Sequence, residues 1–191
     1  MPLSPLCKFF ATVHHMRWIL VGLGNPGREY EGSRHNVGRE FLLALEDGIG
    51  KRGKILTPDS YMNNSGTAIH KLVPSATAAE KLVVLHDELD VPLGSVKISF
   101  GSGSGGHKGV ESIIKALKTK NFVRIRIGIS PATPGGKLKK PTQEKIVDFV
   151  LGKFKSTELI KLKTAKNIVA EALEVLFSDG LAKAMTEINK K

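Results

Sequence analysis

The sequence predicts an α/β domain with helices on both faces of one mixed sheet. Three observations lead there. Short apolar runs alternate with stretches of helical spacing, the pattern of strands joined by helices. Leu82–Leu85 is apolar at every position, as in a strand covered on both faces. Phe122–Ile129 instead alternates, with Arg124 and Arg126 on one parity and Val123, Ile125, Ile127 and Ile129 on the other.

Taken in order, Trp18–Leu23 reads as the first strand, and helical spacing begins at Val37 with Phe41, Leu42 and Leu45. Further strands are predicted at Lys54–Thr57, Leu82–His86, Ser95–Phe100 and Phe122–Ile129. Val110, Ile113, Ile114 and Leu117 follow the i, i+3, i+4, i+7 spacing of a helix face. Pro131–Pro141 has no periodicity and reads as a basic loop. A long amphipathic helix starts near Glu158, carries Leu159, Leu162, Ile168, Val169, Leu173 and Leu176, and stops at Asp179-Gly180.

At 191 residues and 41% hydrophobic content the chain suits one domain with a full core, and no apolar run reaches the length of a membrane span. The single Cys7 forms no internal disulfide, which fits a reducing compartment. Residues 1–16 are free of acids and end at Met16. They read as an extension, either a short presequence or a tail, and the domain occupies 17–191. The net charge of +11 is concentrated: residues 96–140 hold ten Lys or Arg against Glu111 alone, while residues 1–95 balance ten against ten. That concentration points to a polyanion, with nucleic acid first; a solvated lysine surface is the plain alternative.

GLGNPG (Gly22, Gly24, Gly27) matches the dinucleotide fingerprint letter for letter, but the residues after Gly27 have no helical spacing. The turn is better read as presenting side chains, with a nicotinamide-dependent oxidoreductase as the outlying alternative. GSGSGGHKG (Gly101–Gly109) falls short of a P-loop because His107 stands at the lysine position, although such a loop entering a helix can hold a phosphate. His35 lies in a polar segment and can serve as a general base at neutral pH if a carboxylate orients it. Asp87 is the leading partner because it follows a buried strand; Glu88 and Asp90 are alternatives, and all three equally suit a turn before Pro92. Asn25, Asn36 and Asn63 offer neutral groups suited to a carbonyl or an oxyanion. No metal-type Cys/His spacing is visible, and the chemistry indicated is a His/Asp-activated water acting beside a polyanion.

The segments GLGNPGREYEGSRHNVG, SYMNNSG, LVVLHDELDVPLG, GSGGHKG, FVRIRIGI and DFVLGKF, in this order, resemble bacterial-type peptidyl-tRNA hydrolases, including mitochondrial members. The resemblance implies a monomeric three-layer α/β/α domain with a mixed, mostly parallel twisted sheet, free of metal and cofactor, in the mitochondrion or cytoplasm. It implies hydrolysis of the ester between peptide and tRNA, with contacts to the acceptor stem and 3′ end. By that resemblance His35 activates water and Asp87 orients it. Asn25 and Asn63 hold the substrate and the oxyanion, Tyr30, Met62 and Asn36 line the cleft, and Lys97, Arg124 and Arg126 face tRNA. A non-catalytic RNA-binding member of the same fold is the alternative. The chain departs from the family twice: Lys108 stands where Asn is usual, and His35–Met62 is about twenty residues short, which removes an edge strand or reflects a missing segment.

Overall fold

A computed structural model describes residues 17–191, and five strands set its frame. These are β1 (Trp18–Gly22), β2 (Gly53–Leu56), β3 (Leu82–Pro92), β4 (Val96–Phe100) and β5 (Val123–Ser130). They lie in the order β2-β1-β3-β5-β4. β4 runs antiparallel to β5, and the other pairings are parallel. The extension at 1–16 lies outside the described residues.

Among the described residues eight α-helices surround the sheet: α1 (Val37–Ala44), α2 (Glu46–Ile49), α3 (Ser65–His70), α4 (Ala76–Ala79), α5 (Lys108–Leu117), α6 (Ile146–Leu151), α7 (Ser156–Ser178) and α8 (Leu181–Ile188). Side chains alternate across a strand, so neighbouring residues feed two separate cores. Leu20, Val83, Leu85, Ile125 and Ile127 meet α1, α7 and α8 on one face. Val21, Leu82 and Val84 meet α3 and α5 on the other through Ile69, Val110 and Ile113. The result is the three-layer α/β/α arrangement expected, and no described helix is long and apolar enough to cross a membrane.

One strand boundary needs correction. β3 does not end at His86 but runs to Pro92, pairing Asp87 with Ile127 and Glu88 with Gly128 before the register shifts. Asp87 therefore sits in a strand rather than in a loop beyond it. The polar tail stays in the ladder because each side chain finds a partner there, as described below. The reading of the first turn as something other than a helix start is borne out. No α-helix opens after Gly27, where a 3-10 turn spans Arg28–Tyr30. Gly22 and Gly38 are there because backbones meet: a Cβ on Gly38 would lie 2.2 Å from Leu85 O, and one on Gly22 2.7 Å from Gly38 O. That close approach brings the start of α1 against β3, and with it the segment bearing His35.

The short His35–Met62 segment shows in the sheet. Among the described residues β2 has only β1 as a neighbour and forms one edge with four residues. Its brevity and the lysine and arginine beside it, Lys54 and Arg52, suit an exposed edge, because short charged strands discourage edge-to-edge pairing.

Candidate active site

β3 holds Asp87 between two histidines from different elements. His35 lies in the 3-10 turn leading into α1, and its Nδ1 is 2.8 Å from Asp87 Oδ1. His107 is the N-cap of α5, and its Nε2 is 2.9 Å from the same oxygen. The bonding partners assign the tautomers. His107 Nδ1 accepts the N–H groups of Gly109 and Val110 at 3.2 and 3.3 Å, so its proton sits on Nε2 and is donated to Asp87. His35 donates its Nδ1 proton to the carboxylate, which leaves Nε2 as a free lone pair.

Their ionisation follows from the same geometry. Burial alone would raise the Asp87 pKa, but the two imidazoles hold it well below the usual carboxylate range, so it remains charged. Burial disfavours the His35 imidazolium; the Asp87 charge and hydrogen bond outweigh this and raise its pKa above 6.5. His86, fully buried beside them, donates Nδ1–H to the backbone oxygen of Asp87 at 2.7 Å, and burial keeps it neutral. His35, Asp87 and His107 are close enough together to be a metal triad. The His107 Nε2 lone pair is already taken by its proton, however, so hydrogen bonding describes the cluster better.

The two asparagines are engaged differently. Asn36 is buried; its Oδ1 accepts Asn25 N–H at 2.9 Å and its Nδ2 donates to Asn25 O at 3.0 Å. It thus shapes the turn rather than lining the cleft, which corrects its expected role. Asn25 Oδ1 accepts the N–H of Met62 at 2.8 Å, so its Nδ2 is the end left for a ligand. Arg34, next to His35, pins this segment to the far end of α6. It donates to Gly152 O, Lys153 O and Glu158, with its guanidinium 4.5 Å from the Phe149 ring centroid and 5.0 Å from that of Phe154.

These elements enclose a cavity of about 550 Å³ that reaches His35, Asp87, Asn25, Met62, Asn63 and Lys108. Its opposite wall is apolar and comes from α6, through Ile146, Val147, Val150 and Leu151. Tyr30 does not line it; its ring packs edge-on against Tyr61, which does. The basic candidates lie apart from it. Arg124 is 3% exposed, which corrects its expected place on a phosphate-facing surface. Lys97 donates to Asn189 O, and Arg126 donates through Nε to Glu88 at 2.9 Å. Sequence reasoning missed His107, noticed only for spoiling a P-loop, and missed the α6 wall. The available signal for His107 was a glycine loop ending in a residue able to cap a helix and still reach a carboxylate.

Comparison with known proteins finds relatives over most of the chain. The family model described as peptidyl-tRNA hydrolase matches residues 19–52 and 44–191. A peptidyl-tRNA hydrolase of Thermodesulfovibrio yellowstonii is 38% identical, covering 90% of this chain and 98% of its own length. One from Syntrophotalea carbinolica is 37% identical over 91% and 97%. The first alignment spans 193 positions against 90% of the 191 residues here, about 172, so about twenty positions of the relative have no counterpart. The crystal structure of the Acinetobacter baumannii peptidyl-tRNA hydrolase superposes with a TM-score of 0.79 at 30% identity, over 92% of this chain and 95% of that one.

Proposed function

The chain belongs to the peptidyl-tRNA hydrolase family and hydrolyses peptidyl-tRNA, and on that premise we propose that His35 is the base that activates the attacking water. The observation that carries the proposal is the 2.8 Å contact between His35 Nδ1 and Asp87 at the cavity. With Nδ1 protonated toward the carboxylate, Nε2 takes the proton from water as the oxygen attacks the ester carbonyl. The Asp87 charge then stabilises the imidazolium that forms, and the proton passes to the departing 3′ oxygen of tRNA. An aminoacyl ester has a good leaving group, so positioned water suffices without a covalent nucleophile.

Asn25 supplies Nδ2–H to the developing oxyanion, its other amide end being engaged by Met62 N–H. Asn63, exposed at the cavity edge, meets the peptide amide, and Met62 packs against the ester. His107 acts through Asp87 and is a positioning residue. In this reading the acceptor stem and 3′ end of tRNA enter over the basic segment 96–140, held by salt-sensitive phosphate contacts, and the protein works as a monomer. The relatives are bacterial, which accords with the cytoplasmic alternative; a mitochondrial address would rest on residues 1–16. The RNA-binding alternative is not favoured, because the relatives are hydrolases and the His35–Asp87 pair is intact. Single-turnover release of N-acetylphenylalanine from its tRNA tests the assignment. His35→Ala abolishes release and keeps tRNA affinity; full activity in that variant refutes the base.

A further inference from the structure

The cavity contains three charged side chains, and their accounts differ. Glu88 is neutralised by Arg126 and also accepts the backbone N–H of Asp90. Asp87 is bound by two imidazoles but keeps its negative charge. Lys108 is 72% exposed on the rim, and among the described residues its ion-pair partner is Glu111, 3.3 Å away and 58% exposed. Exposed pairs of that kind are worth little, so the ammonium still acts on the cavity. Among the described residues Lys108 is the only lysine or arginine that lines the cavity.

Its place in the fold is unfavourable for the helix. Lys108 is the first residue of α5, directly after the His107 cap, at the positive end of the helix dipole where acids are preferred. A residue that breaks a local rule without a folding gain points to a role in the site.

We infer that Lys108 is a specificity residue that excludes tRNA esters bearing a free α-ammonium group, an inference that rests on the ester occupying this cavity. In an unblocked aminoacyl-tRNA the ammonium lies one carbon from the ester and is largely protonated at neutral pH. In a peptidyl-tRNA the same nitrogen is a neutral amide. A rim cation therefore penalises the first substrate and leaves the second alone. Among the described residues the cavity has no free carboxylate to receive the ammonium, since Glu88 is paired with Arg126 and Asp87 already accepts from both imidazoles.

The test compares kcat/KM for phenylalanyl-tRNA, N-acetylphenylalanyl-tRNA and phenyllactyl-tRNA, the last bearing a neutral hydroxyl in place of the ammonium. In Lys108→Gln the ratio of phenylalanyl to N-acetylphenylalanyl rises about fivefold, as removal of one charge on a solvated rim implies. The phenyllactyl ratio does not follow it. An unchanged ratio in Lys108→Gln overturns the inference, as does a phenyllactyl ratio that moves in parallel, because size rather than charge would then discriminate. Equal loss on all three substrates also overturns it, by assigning Lys108 to the RNA. Failure of the wild-type protein to cleave N-acetylphenylalanyl-tRNA would instead refute the underlying hydrolytic reading.

Discussion

Asp87→Asn tests charge rather than tautomer in this site. Both imidazoles contact the same oxygen, Oδ1, at 2.8 and 2.9 Å. Asparagine will place its carbonyl there, because an NH2 group would face two N–H donors, one of them committed by the α5 cap. Both hydrogen bonds then persist, His35 keeps Nε2 free, and only the negative charge is lost. An ion pair near 4 Å is worth about 4 kcal/mol at an effective dielectric constant near 20. The amide dipole retains part of this, so the transition state, with its imidazolium, loses about 2–4 kcal/mol. The single-turnover rate should therefore fall roughly 30- to 1000-fold. The acid limb of the pH–rate profile should also move. Asp87 raises the His35 pKa against the opposing effect of burial; without the charge burial prevails, and the limb shifts to lower pH. A rate within about threefold of wild type, or a limb displaced to higher pH, would refute the assigned coupling.

Other expectations follow from the same contacts. His107→Asn keeps a capping side chain for α5 but cannot reach Asp87; the less-solvated carboxylate pulls harder on His35, so the acid limb moves up and the rate falls about tenfold, read from a pH–rate series. Asn25→Asp retains the acceptor for Met62 N–H and loses the Nδ2 donor, and kcat at saturating substrate should drop about 100- to 1000-fold. Arg34→Ala removes hydrogen bonds to Gly152, Lys153 and Glu158 and the contacts with Phe149 and Phe154, and urea unfolding should show a loss of about 2–4 kcal/mol. The Asp87 pKa is depressed on folding, so its contribution is present above its unfolded pKa of 3.8 and is lost as pH falls toward the folded value. Acid unfolding of Asp87→Asn should therefore be less steep than that of wild type.

Much of this protein was legible in the chain itself. Periodicity located all five strands and the helices at Val37, Val110 and Glu158, because apolar spacing reports which face of an element is buried. Polar segments containing His35, Asn25, Asn63 and Asp87 could be singled out as unusual, and the order of several motifs was specific enough to identify the family. The tertiary structure decided which of them meet. His35 and Asp87 are 52 residues apart, and His107 is a further 20 along; close approach of α1 to β3 and the cap of α5 bring all three to one oxygen. It also separated residues that residue type cannot distinguish, making Asn36 a clamp, engaging Asn25 through its Oδ1 with Met62 N–H, packing Tyr30 against Tyr61 and burying Arg124. Local sequence determines how each element buries its apolar face. A hydrogen-bonded site depends on which groups remain without partners after the elements pack, and that is settled only in three dimensions.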